Sequence, residues 1–427
     1  MSDDALSTVD GRYRTECREL ASYFSEKALV EERVKVELEY LRLLCALGVA
    51  PRGKVEVSRP PFGRVKELEA QVEHDVKAVE LFLREELGRD SPGLLPYIHL
   101  GLTSEDTNSV ARGRLLARSL SDVLVPLFER LARGLCAVAA EEAGTPMLAR
   151  THGRPAVPTT FGREMAVFAV RLAERIGKLG RLRPVAKMSG AVGTYASFFL
   201  IAPDVDWPAV LGRFVGEMGL DYAPYATQVP PAERLSDIAH CVINVNQLML
   251  GLSRDLWMYQ AMDYVGFDRK GSVSSSTMPQ KVNPVDLENA EGQVEVSNSL
   301  LLPVAYRLQV SRWQRDLSDS VIGRTVGQAF AHSVIACKRV LRALGTMHVN
   351  RDAMLKDLRS HEEVFAEAAQ LLLRLKGDEG GYDSVRKAVE GGSFSPPVEA
   401  GAYLGISVRM ARAAGEEVDR LLSAGKS

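Results

Sequence analysis

The residues from 271 to 284 combine hydroxyl groups, a cation and an amide in one short segment. The run is Gly-Ser-Val-Ser-Ser-Ser-Thr-Met-Pro-Gln-Lys-Val-Asn-Pro. Gly271 and the serines give a flexible backbone with N–H groups for an anion, and Pro279 biases the residue before it to an extended conformation. Lys281 and Asn283 then add a cation and an amide donor. The serines alone would indicate a solvated linker, but together with the fixed cation they suit chemistry that builds negative charge on a substrate.

The order Ser-Ser-x-Met-Pro-x-Lys-x-Asn-Pro resembles the signature of the fumarase/aspartase superfamily. Six further blocks occur in the family's order and look specifically like the bacterial-type adenylosuccinate lyase family. They are Gly-Arg-Tyr at 11–13, His-Asp-Val-Lys-Ala-Val-Glu at 74–80, Thr-Ser-Glu-Asp at 103–106, Arg-Thr-His-Gly at 150–153, Val-Asp-Leu-Glu-Asn-Ala-Glu-Gly at 285–292 and Ser-Arg-Trp-Gln-Arg-Asp-Leu-Ser-Asp-Ser at 311–320.

The resemblance implies an anti β-elimination in which a proton leaves the carbon beside a carboxylate and fumarate is released. Such a reaction needs a strong base, preset donors for the dianion and an acid for the leaving nitrogen. By the resemblance, Ser275 is the base, with Lys281 favouring its alkoxide, and His152 is the acid. Glu288 matches the carboxylate that the family pairs with this histidine. Taken alone, His152 would more often be structural and Glu288 an ordinary surface helix residue.

The resemblance also implies residues that meet the substrate. His74, counted among the catalytic residues, starts a helix-like run, and a helix N-terminus favours phosphate or carboxylate. Thr103 and Ser104 are implied to bind the succinyl carboxylates, and Arg12 to bind the nucleotide phosphate through its planar fork. The other implied substrate-binding residues are Tyr13, Asp75, His99, Thr151, Gln228, Met278, Asn283, Arg312, Ser320 and Arg324. Without the resemblance, each would pass as a satisfied histidine, a frayed terminal residue or part of a solvated helix face.

The chain departs from the family pattern at four positions near these motifs. Ser274 stands where the family usually has glycine, and Gln280 where it often has histidine. Glu73 replaces an asparagine, and Arg154 replaces a glutamine. The connection over residues 48–66 is also shorter than in the bacterial relatives. None of these changes removes a proposed catalytic group, but they leave room for altered loop dynamics or a modified substrate.

Composition narrows the class of protein. The 427 residues are 46% hydrophobic and 25% charged with a formal net charge of −2, which is ordinary for a globular protein and favours neither nucleic acid nor membrane as a partner. Five scattered cysteines without Cys-x-x-Cys spacing predict reduced thiols rather than a zinc site or a disulfide framework. The histidines lack metal-ligand spacing, and the implied reaction needs no cofactor. The N-terminus has no signal-like pattern and no apolar run approaches a membrane span, so we expect a cytoplasmic protein.

Helical periodicity dominates the chain. Val30, Val34, Leu38, Leu41 and Cys45 recur at steps of three and four, with Gly48 placed to end that helix. A second stripe follows Thr159 and Thr160, either of which could cap it, and consists of Phe161, Met165, Phe168, Leu172 and Ile176. Long helices are also predicted over 107–143, with a kink at Pro126, and over 234–265 and 318–345. Period-two strands are scarce, and the glycine-rich run 190–195 is predicted to be a loop.

These patterns predict an all-α protein, because long helices with apolar stripes need helical partners. We place domain boundaries near residues 102 and 347, which gives an N-terminal helical domain over 1–102, a central long-helix bundle over 103–347 and a small C-terminal helical domain over 348–427. The resemblance further implies a three-domain fumarase/aspartase-like fold. It also implies a homotetramer with a twenty-helix core, in which each active site draws on three subunits.

The resemblance implies two purine nucleotide substrates. Adenylosuccinate would give AMP and fumarate, and succinylaminoimidazole carboxamide ribotide (SAICAR) would give AICAR and fumarate. One alternative is another superfamily lyase that acts on a different N-succinyl or aspartate compound. A second is a non-catalytic structural protein on a lyase scaffold. The four remaining histidines are interpreted as structural: His240, His332, His348 and His361.

Overall fold

The computed structural model describes residues 5–268 and 282–424. Two compact units emerge from the contacts within the chain. The first unit consists of Met1–Pro126, Leu179–Ile243 and Val296–Val334, and the second of Leu127–Lys178, Asn244–Glu295 and Ile335–Ser427. The chain therefore enters each unit three times. The division at residues 102 and 347 stays a prediction.

Helices dominate the described residues, as the periodicity predicts. The α-helices are α1 (Arg14–Cys17), α2 (Ala21–Phe24), α3 (Glu26–Ala46), α4 (Phe62–Val72), α5 (Asp75–Asp90), α6 (Ser104–Ser119), α7 (Val125–Glu141), α8 (Phe161–Arg181), α9 (Ala196–Ile201), α10 (Trp207–Glu217), α11 (Glu233–Ala261), α12 (Val285–Arg307), α13 (Ser318–Gly323), α14 (Val326–Leu344), α15 (Arg351–Arg359), α16 (Ala366–Leu375), α17 (Gly381–Glu390) and α18 (Ser407–Ser423). A π turn spans Leu120–Leu124, and 3-10 turns span Arg18–Leu20, Pro92–Tyr97, Glu362–Phe365 and Ala400–Ala402. In the part of the chain that the structure describes, no helix is long and apolar enough to span a membrane.

Helix α3 confirms the first predicted stripe and supplies the core of the first unit. The hydroxyl of Ser25 accepts from the backbone N–H of Ala28 and so caps the helix. Tyr40 and Leu44 are fully buried in a cluster that contains apolar side chains of α5 and α10. Gly48 follows with a φ of +73°, the left-handed conformation that ends many helices.

Helix α8 confirms the second stripe, and its buried face lies in the second unit. The hydroxyl of Thr160 accepts from the backbone N–H of Arg163 at 3.1 Å, so Thr160 is the capping residue rather than Thr159. The stripe packs with almost no exposure, as shown by Phe161, Met165, Leu172 and Ile176.

Two of the predicted long helices are irregular. In the first, the π turn lies immediately before α7, and the N–H of Val125 bonds to the carbonyl of Leu120. Pro126 follows, and its ring cannot fit under a regular helical turn, so the expected disturbance takes the form of a π turn. The continuous helix predicted over 318–345 is wrong, because α13 ends at Gly323 and α14 begins at Val326. Glycine weakens a helix there, and the hydroxyl of Thr325 donates to the carbonyl of Ile322.

Short strands form three two-stranded sheets in the described residues. Antiparallel β1 (Pro146–Thr151) and β2 (Arg154–Thr160) form a hairpin, β3 (Val185–Ala186) pairs in parallel with β4 (Asp221–Tyr222), and β5 (Val265–Phe267) pairs antiparallel with β6 (Met347–Val349). The sequence did not predict the hairpin. Residues 190–195 form neither helix nor strand, which confirms the predicted loop.

Candidate active site

The N-terminus of α6 carries Thr103 and Ser104, the predicted carboxylate-binding pair. Thr103 is extended just before the helix, and its backbone N–H donates to Oδ2 of Asp106 at 2.8 Å. The preceding turn requires Gly101, which has a φ of +80° and where a Cβ atom would lie 2.8 Å from Ile201. Backbone N–H groups and the helix dipole make such an N-terminus favourable for an anion, so the pair is placed where a carboxylate would be stabilised.

His99 lies on the same turn and is paired with a buried carboxylate. Its Nδ1 lies 2.7 Å from Oε1 of Glu37, which also accepts a hydrogen bond from the hydroxyl of Thr107. Burial opposes protonation of the ring, but the hydrogen bond and charge of Glu37 outweigh it and raise the pKa of His99. The paired carboxylate therefore favours the protonated form of His99 beside the α6 N-terminus.

His74 and Asp75 open helix α5, as the sequence predicts. Nδ1 of His74 accepts from the backbone N–H of Lys77 at 3.2 Å and caps the helix, while half of the side chain remains exposed. Asp75 bonds to the buried guanidinium of Arg33 at 2.5 Å. Burial acts to raise the pKa of Asp75, but the charge and hydrogen bond of Arg33 hold it below its usual value. Asp75 is therefore a fixed carboxylate rather than a proton donor at neutral pH.

A cavity of about 450 Å³ in the first unit brings Asp75 together with Arg324, two of the predicted substrate residues. Eight further charged residues lie on its wall: Glu26, Arg33, Lys66, Glu69, Glu105, Arg112, Arg234 and Asp319. Apolar side chains such as Leu29, Val30 and Ile238 line much of the remainder. A cavity of this size, with charged groups of both signs on a partly apolar wall, suits a small polar ligand.

Gln228 is joined to the α6 N-terminus through an arginine that the sequence analysis did not single out. Nε2 of Gln228 donates to the carbonyl of Ala191 at 3.1 Å, and its Oε1 accepts from Arg315 at 3.1 Å. Arg315 also forms an ion pair of 3.2 Å with Glu105, the residue after Ser104. The position of Arg315 in the Trp-Gln-Arg-Asp block could have marked it as a site residue, but the spacing of the block did not distinguish Arg315 from Arg312.

The remaining residues predicted to face the nucleotide are less enclosed. Arg12 is exposed, with its guanidinium carbon 5.9 Å from the centre of the Tyr13 ring. Arg312 is exposed, whereas Ser320 on α13 is half-buried and donates to the carbonyl of Leu317. Their roles in binding a nucleotide stay predictions.

In the second unit, His152 occupies the tip of the β1–β2 hairpin. Thr151 pairs with Arg154, which leaves His152 and Gly153 as a two-residue loop. Their φ angles are +55° and +72°, as a type I′ turn requires, and histidine is among the few residues that adopt this conformation readily. Thr151 and His152 are both exposed at this tip.

The base of this hairpin is anchored by Arg150. Its guanidinium donates to Oδ2 of Asp357 at 2.7 Å and to the hydroxyl of Tyr264 at 3.1 Å. Tyr264 also donates to Asp357. Burial acts to raise the pKa of Asp357, but these hydrogen bonds hold it below its usual range, whereas burial and the bond to Asp357 raise the pKa of Tyr264 to about 12.

Glu288 and Asn283 lie at the beginning of α12 and just before it. Oε1 of Glu288 accepts from the indole N–H of Trp257 at 3.2 Å, and the glutamate is exposed. Within the described residues, no hydrogen bond joins Glu288 to His152. Asn283 is half-buried and follows Val282, whose carbonyl accepts from Gln260.

Several predicted residues lie outside the described residues. They are Ser275, Lys281 and Met278, together with the departures Ser274 and Gln280. Across residues 5–268 and 282–424, no group of three or more histidine, cysteine, aspartate or glutamate side chains is arranged to hold a metal ion.

Two family models match the chain. One, described as "Lyase", matches residues 57–296, and another, described as "Adenylosuccinate lyase C-terminal", matches residues 311–397. The first covers more than half of the chain. Together the two models contain all of the predicted site residues except Arg12 and Tyr13.

Curated relatives match along nearly the full length. An adenylosuccinate lyase of Escherichia coli (strain K12) is 35% identical over 406 residues, which cover 91% of this chain and 89% of the relative. Adenylosuccinate lyases of Legionella pneumophila (strain Corby) and Vibrio cholerae are 34% and 35% identical with the same coverage.

Solved structures share the fold at lower sequence identity. A fumarate lyase from Mesorhizobium sp. BNC1 has a TM-score of 0.74 at 19% identity, and the alignment covers 95% of this chain and 97% of that one. A 3-carboxy-cis,cis-muconate lactonizing enzyme from Pseudomonas putida has the same TM-score and coverage at 20% identity. The structural likeness confirms the mostly α-helical fold of the fumarase/aspartase superfamily. The identities, the coverage and the two matching models establish that the chain is a lyase that belongs to the adenylosuccinate lyase family.

Proposed function

We propose that this enzyme releases fumarate from adenylosuccinate, leaving AMP, and from SAICAR, leaving AICAR, as steps of purine biosynthesis. Similarity to adenylosuccinate lyases over 91% of the chain supports the reaction. The structural observation that carries the assignment is the α6 N-terminus beside His99, which is paired with Glu37 at 2.7 Å. A succinyl group brings two carboxylates, and the α6 N-terminus offers them backbone N–H groups and a helix dipole, with the imidazole of His99 beside it as a further hydrogen-bonding group.

The first unit supplies groups suited to substrate binding. Thr103 and Ser104 are proposed to bind the succinyl carboxylates, and Asp75 and Arg324 share one cavity with room for a nucleotide portion. Gln228 lies within hydrogen-bond distance of Arg315, which adds a second arginine to this side of the site. His74, Tyr13, Arg312 and Ser320 are proposed to complete it, and Arg12 to bind the phosphate.

Proton removal is assigned to Ser275. The proton beside a carboxylate is weakly acidic, and its removal places additional charge on that carboxylate, so the base must be strong and the product dianion must be held. Lys281 and the loop amides would favour the serine alkoxide, and Met278 and Asn283 would line the same side. Ser275, Lys281 and Met278 lie outside the described residues, so their roles rest on the motif alone.

Protonation of the leaving nitrogen is assigned to His152, supported by Thr151 and paired with Glu288. Both His152 and Glu288 are exposed, and Glu288 accepts from Trp257 within its own chain. We infer that the pair forms between chains, with His152 from one subunit and Glu288 from another. Shared sites of this kind are what the family resemblance implies.

Exposed apolar side chains support a homotetramer. Helix α12 and the segment that follows it expose large apolar residues in the first unit, where they would otherwise be costly in water. These residues are Val296, Leu302, Tyr306, Val310, Trp313, Leu317 and Val321. Trp313 is 95% exposed, which favours contact with another subunit.

The alternatives are not favoured. A lyase for a different N-succinyl or aspartate compound would not require the nucleotide-facing set of Arg12, Arg312 and Arg324. A non-catalytic scaffold protein would be free to lose Ser275 and His152, yet both are present.

The decisive experiment is fumarate release by the purified protein. We expect turnover with adenylosuccinate and with SAICAR, and none with argininosuccinate, malate or aspartate at the same concentrations. The matched control is the Ser275→Ala variant, prepared in parallel to exclude a contaminating lyase. Turnover of argininosuccinate or aspartate without turnover of either nucleotide would overturn the assignment.

A further inference from the structure

A fully enclosed ion pair lies at the centre of the first unit. Nζ of Lys187 is 2.7 Å from Oδ1 of Asp106, and both side chains are 0% exposed. Removing two charges from water is costly, and apolar residues of similar volume often stabilise a protein equally well. The pair is therefore better explained by the groups that it holds than by a contribution to stability.

The carboxylate of Asp106 joins two separate segments of the chain. Oδ2 accepts from the backbone N–H of Thr103 at 2.8 Å, at the start of α6. Oδ1 accepts from the N–H of Ser189 at 2.9 Å, and the N–H of Gly190 lies 3.2 and 3.3 Å from the two oxygens. One carboxylate thus fixes the Thr103–Ser104 turn relative to the loop that begins at Ser189.

Lys187 holds the same loop through both its side chain and its backbone. Its Nζ donates to the carbonyl of Gly190 at 2.6 Å. The backbone of Lys187 is held by Ser109, whose hydroxyl donates to its carbonyl at 2.8 Å and accepts from its N–H at 3.2 Å. The next residue in the loop, Ala191, accepts from Gln228 at 3.1 Å. The ion pair therefore acts on Gln228 through a single loop residue.

We propose that Asp106 and Lys187 are positioning residues that set the geometry of the pocket for the succinyl carboxylates. The inference rests on the proposed function and deepens it. Neither side chain contacts the substrate; they act through Thr103 and Ser104 on one side and through Gln228 on the other. An amide at position 106 offers one acceptor oxygen instead of two, so it can hold only one of the two segments.

The test is product inhibition of the double variant Asp106→Asn/Lys187→Met, which removes both charges and leaves no unpaired buried ion. We expect the inhibition constant for fumarate to rise by about tenfold, because hydrogen bonds to a charged group are lost where its carboxylates bind. The inhibition constant for AMP should change by less than about twofold. A merely structural role would shift both constants or neither.

The matched control is the buried pair of Glu32 and Arg114, joined at 2.7 Å, with Arg114 on the same helix as Asp106. Its double variant Glu32→Gln/Arg114→Met should leave both constants unchanged. A milder variant, Ser109→Ala, loosens the backbone of Lys187 without touching the charges. It should raise the fumarate constant by about threefold and change the AMP constant by less, since Ser109 also lies on the wall of the cavity that holds Asp75 and Arg324.

Circular dichroism and urea unfolding establish which variants fold. An unchanged fumarate constant in the folded double variant overturns the inference. If that variant does not fold, an unchanged constant in Ser109→Ala overturns it. Failure of the wild-type protein to release fumarate from adenylosuccinate would instead refute the proposed function, so the two failures are distinguishable.

Discussion

Arg150 lies two residues before His152 in the chain, and its guanidinium donates to Oδ2 of Asp357 at 2.7 Å. The contact ties strand β1 to helix α15 and makes the base of the hairpin rigid while its tip stays exposed. The orientation of His152, the side chain proposed to act as an acid, therefore depends on the contact between its hairpin and Asp357 in the C-terminal region.

Replacing Asp357 by Ala should release this anchor. Charge-assisted hydrogen bonds from Arg150 and Tyr264 are lost, so we expect unfolding to become easier by about 2 kcal/mol and kcat to fall more than KM rises. Because the pKa of Asp357 is depressed, its stabilising contribution is present above about pH 4 and is lost as pH falls through the folded-state pKa. Urea unfolding between acidic and neutral pH measures this, with the exposed Lys356→Gln as control. The prediction would be contradicted if the unfolding free energies of the Asp357→Ala and Lys356→Gln variants depended on acidic pH in the same way.

The contact between His99 and Glu37 predicts the opposite dependence on pH. The pKa of His99 is raised in the folded state, so the stability that protonated His99 contributes is fully present below about pH 6.5 and is lost as pH rises through the folded-state pKa. The difference in unfolding free energy between wild type and His99→Asn should therefore shrink from slightly acidic to alkaline pH. Asparagine tolerates the φ of +60° at this position. The exposed His348→Asn serves as control, and a pH-independent difference for His99 would refute the prediction.

Glu73 should be a site where stability can be gained. It ends α4 with a φ of 51°, a left-handed conformation that strains most side chains but suits asparagine. We expect Glu73→Asn to raise the free energy of unfolding by about 0.5 kcal/mol. Asparagine placed inside the helix, as in Gln71→Asn, should instead lower the free energy of unfolding by a few tenths of a kcal/mol. Thermal or urea unfolding decides, and a destabilised Glu73→Asn variant would show that the glutamate makes a compensating contact.

Arg315 and Arg312 offer a paired test of the two arginines in the block over residues 311–320. Arg315 contacts Gln228 and Glu105, whereas Arg312 is exposed in the single chain. We expect Arg315→Ala to raise KM for adenylosuccinate by about tenfold or more, and Arg312→Ala to raise it less, since a buried charged donor contributes more than an exposed one. Steady-state kinetics on the assembled enzyme measures both. A larger effect of Arg312→Ala would contradict this and would indicate that Arg312, although exposed in the single chain, is buried beside the substrate in the assembled enzyme.

Ser275→Ala should abolish turnover but retain substrate binding, because the hydroxyl is proposed to act on a proton rather than to hold the nucleotide. Calorimetric titration with adenylosuccinate gives the affinity, and a discontinuous fumarate assay gives the residual rate. Ser274→Ala and Ser276→Ala are the neighbouring controls and should keep most of the activity. Substantial turnover by Ser275→Ala would transfer the base role to another residue.

Much of the helical structure could be predicted because local rules determine it. Gly48 ends α3 since a left-handed residue closes a helix, and Phe161 to Ile176 form one buried face because their spacing matches the helical repeat. The hairpin around His152 was missed because β1 and β2 are short, and Pro146, Pro155 and Pro158 obscure any strand pattern. The break between α13 and α14 was missed because apolar periodicity continues across it.

The candidate site was predictable only where a motif is contiguous. Thr103 and Ser104 belong to one contiguous block of the resemblance, although the helix that they open was predicted to begin only at residue 107, whereas α6 begins at Ser104. The partner of His99 could not be predicted, because Glu37 lies 62 residues earlier and no spacing rule links the two. Arg315 was overlooked for the same reason, since its contacts with Gln228 and Glu105 arise only from the folded arrangement.

The turn that carries His152 limits what selection can place there. A backbone with positive φ is readily tolerated by glycine, asparagine, aspartate and histidine, and resisted by most other residues. Of those four, histidine alone ordinarily exchanges protons near neutral pH. The backbone geometry thus restricts which residue types can occupy position 152, independently of any catalytic requirement. The substitution His152→Asn would remove the imidazole without disturbing the backbone conformation of the turn, so it tests the contribution of the ring alone.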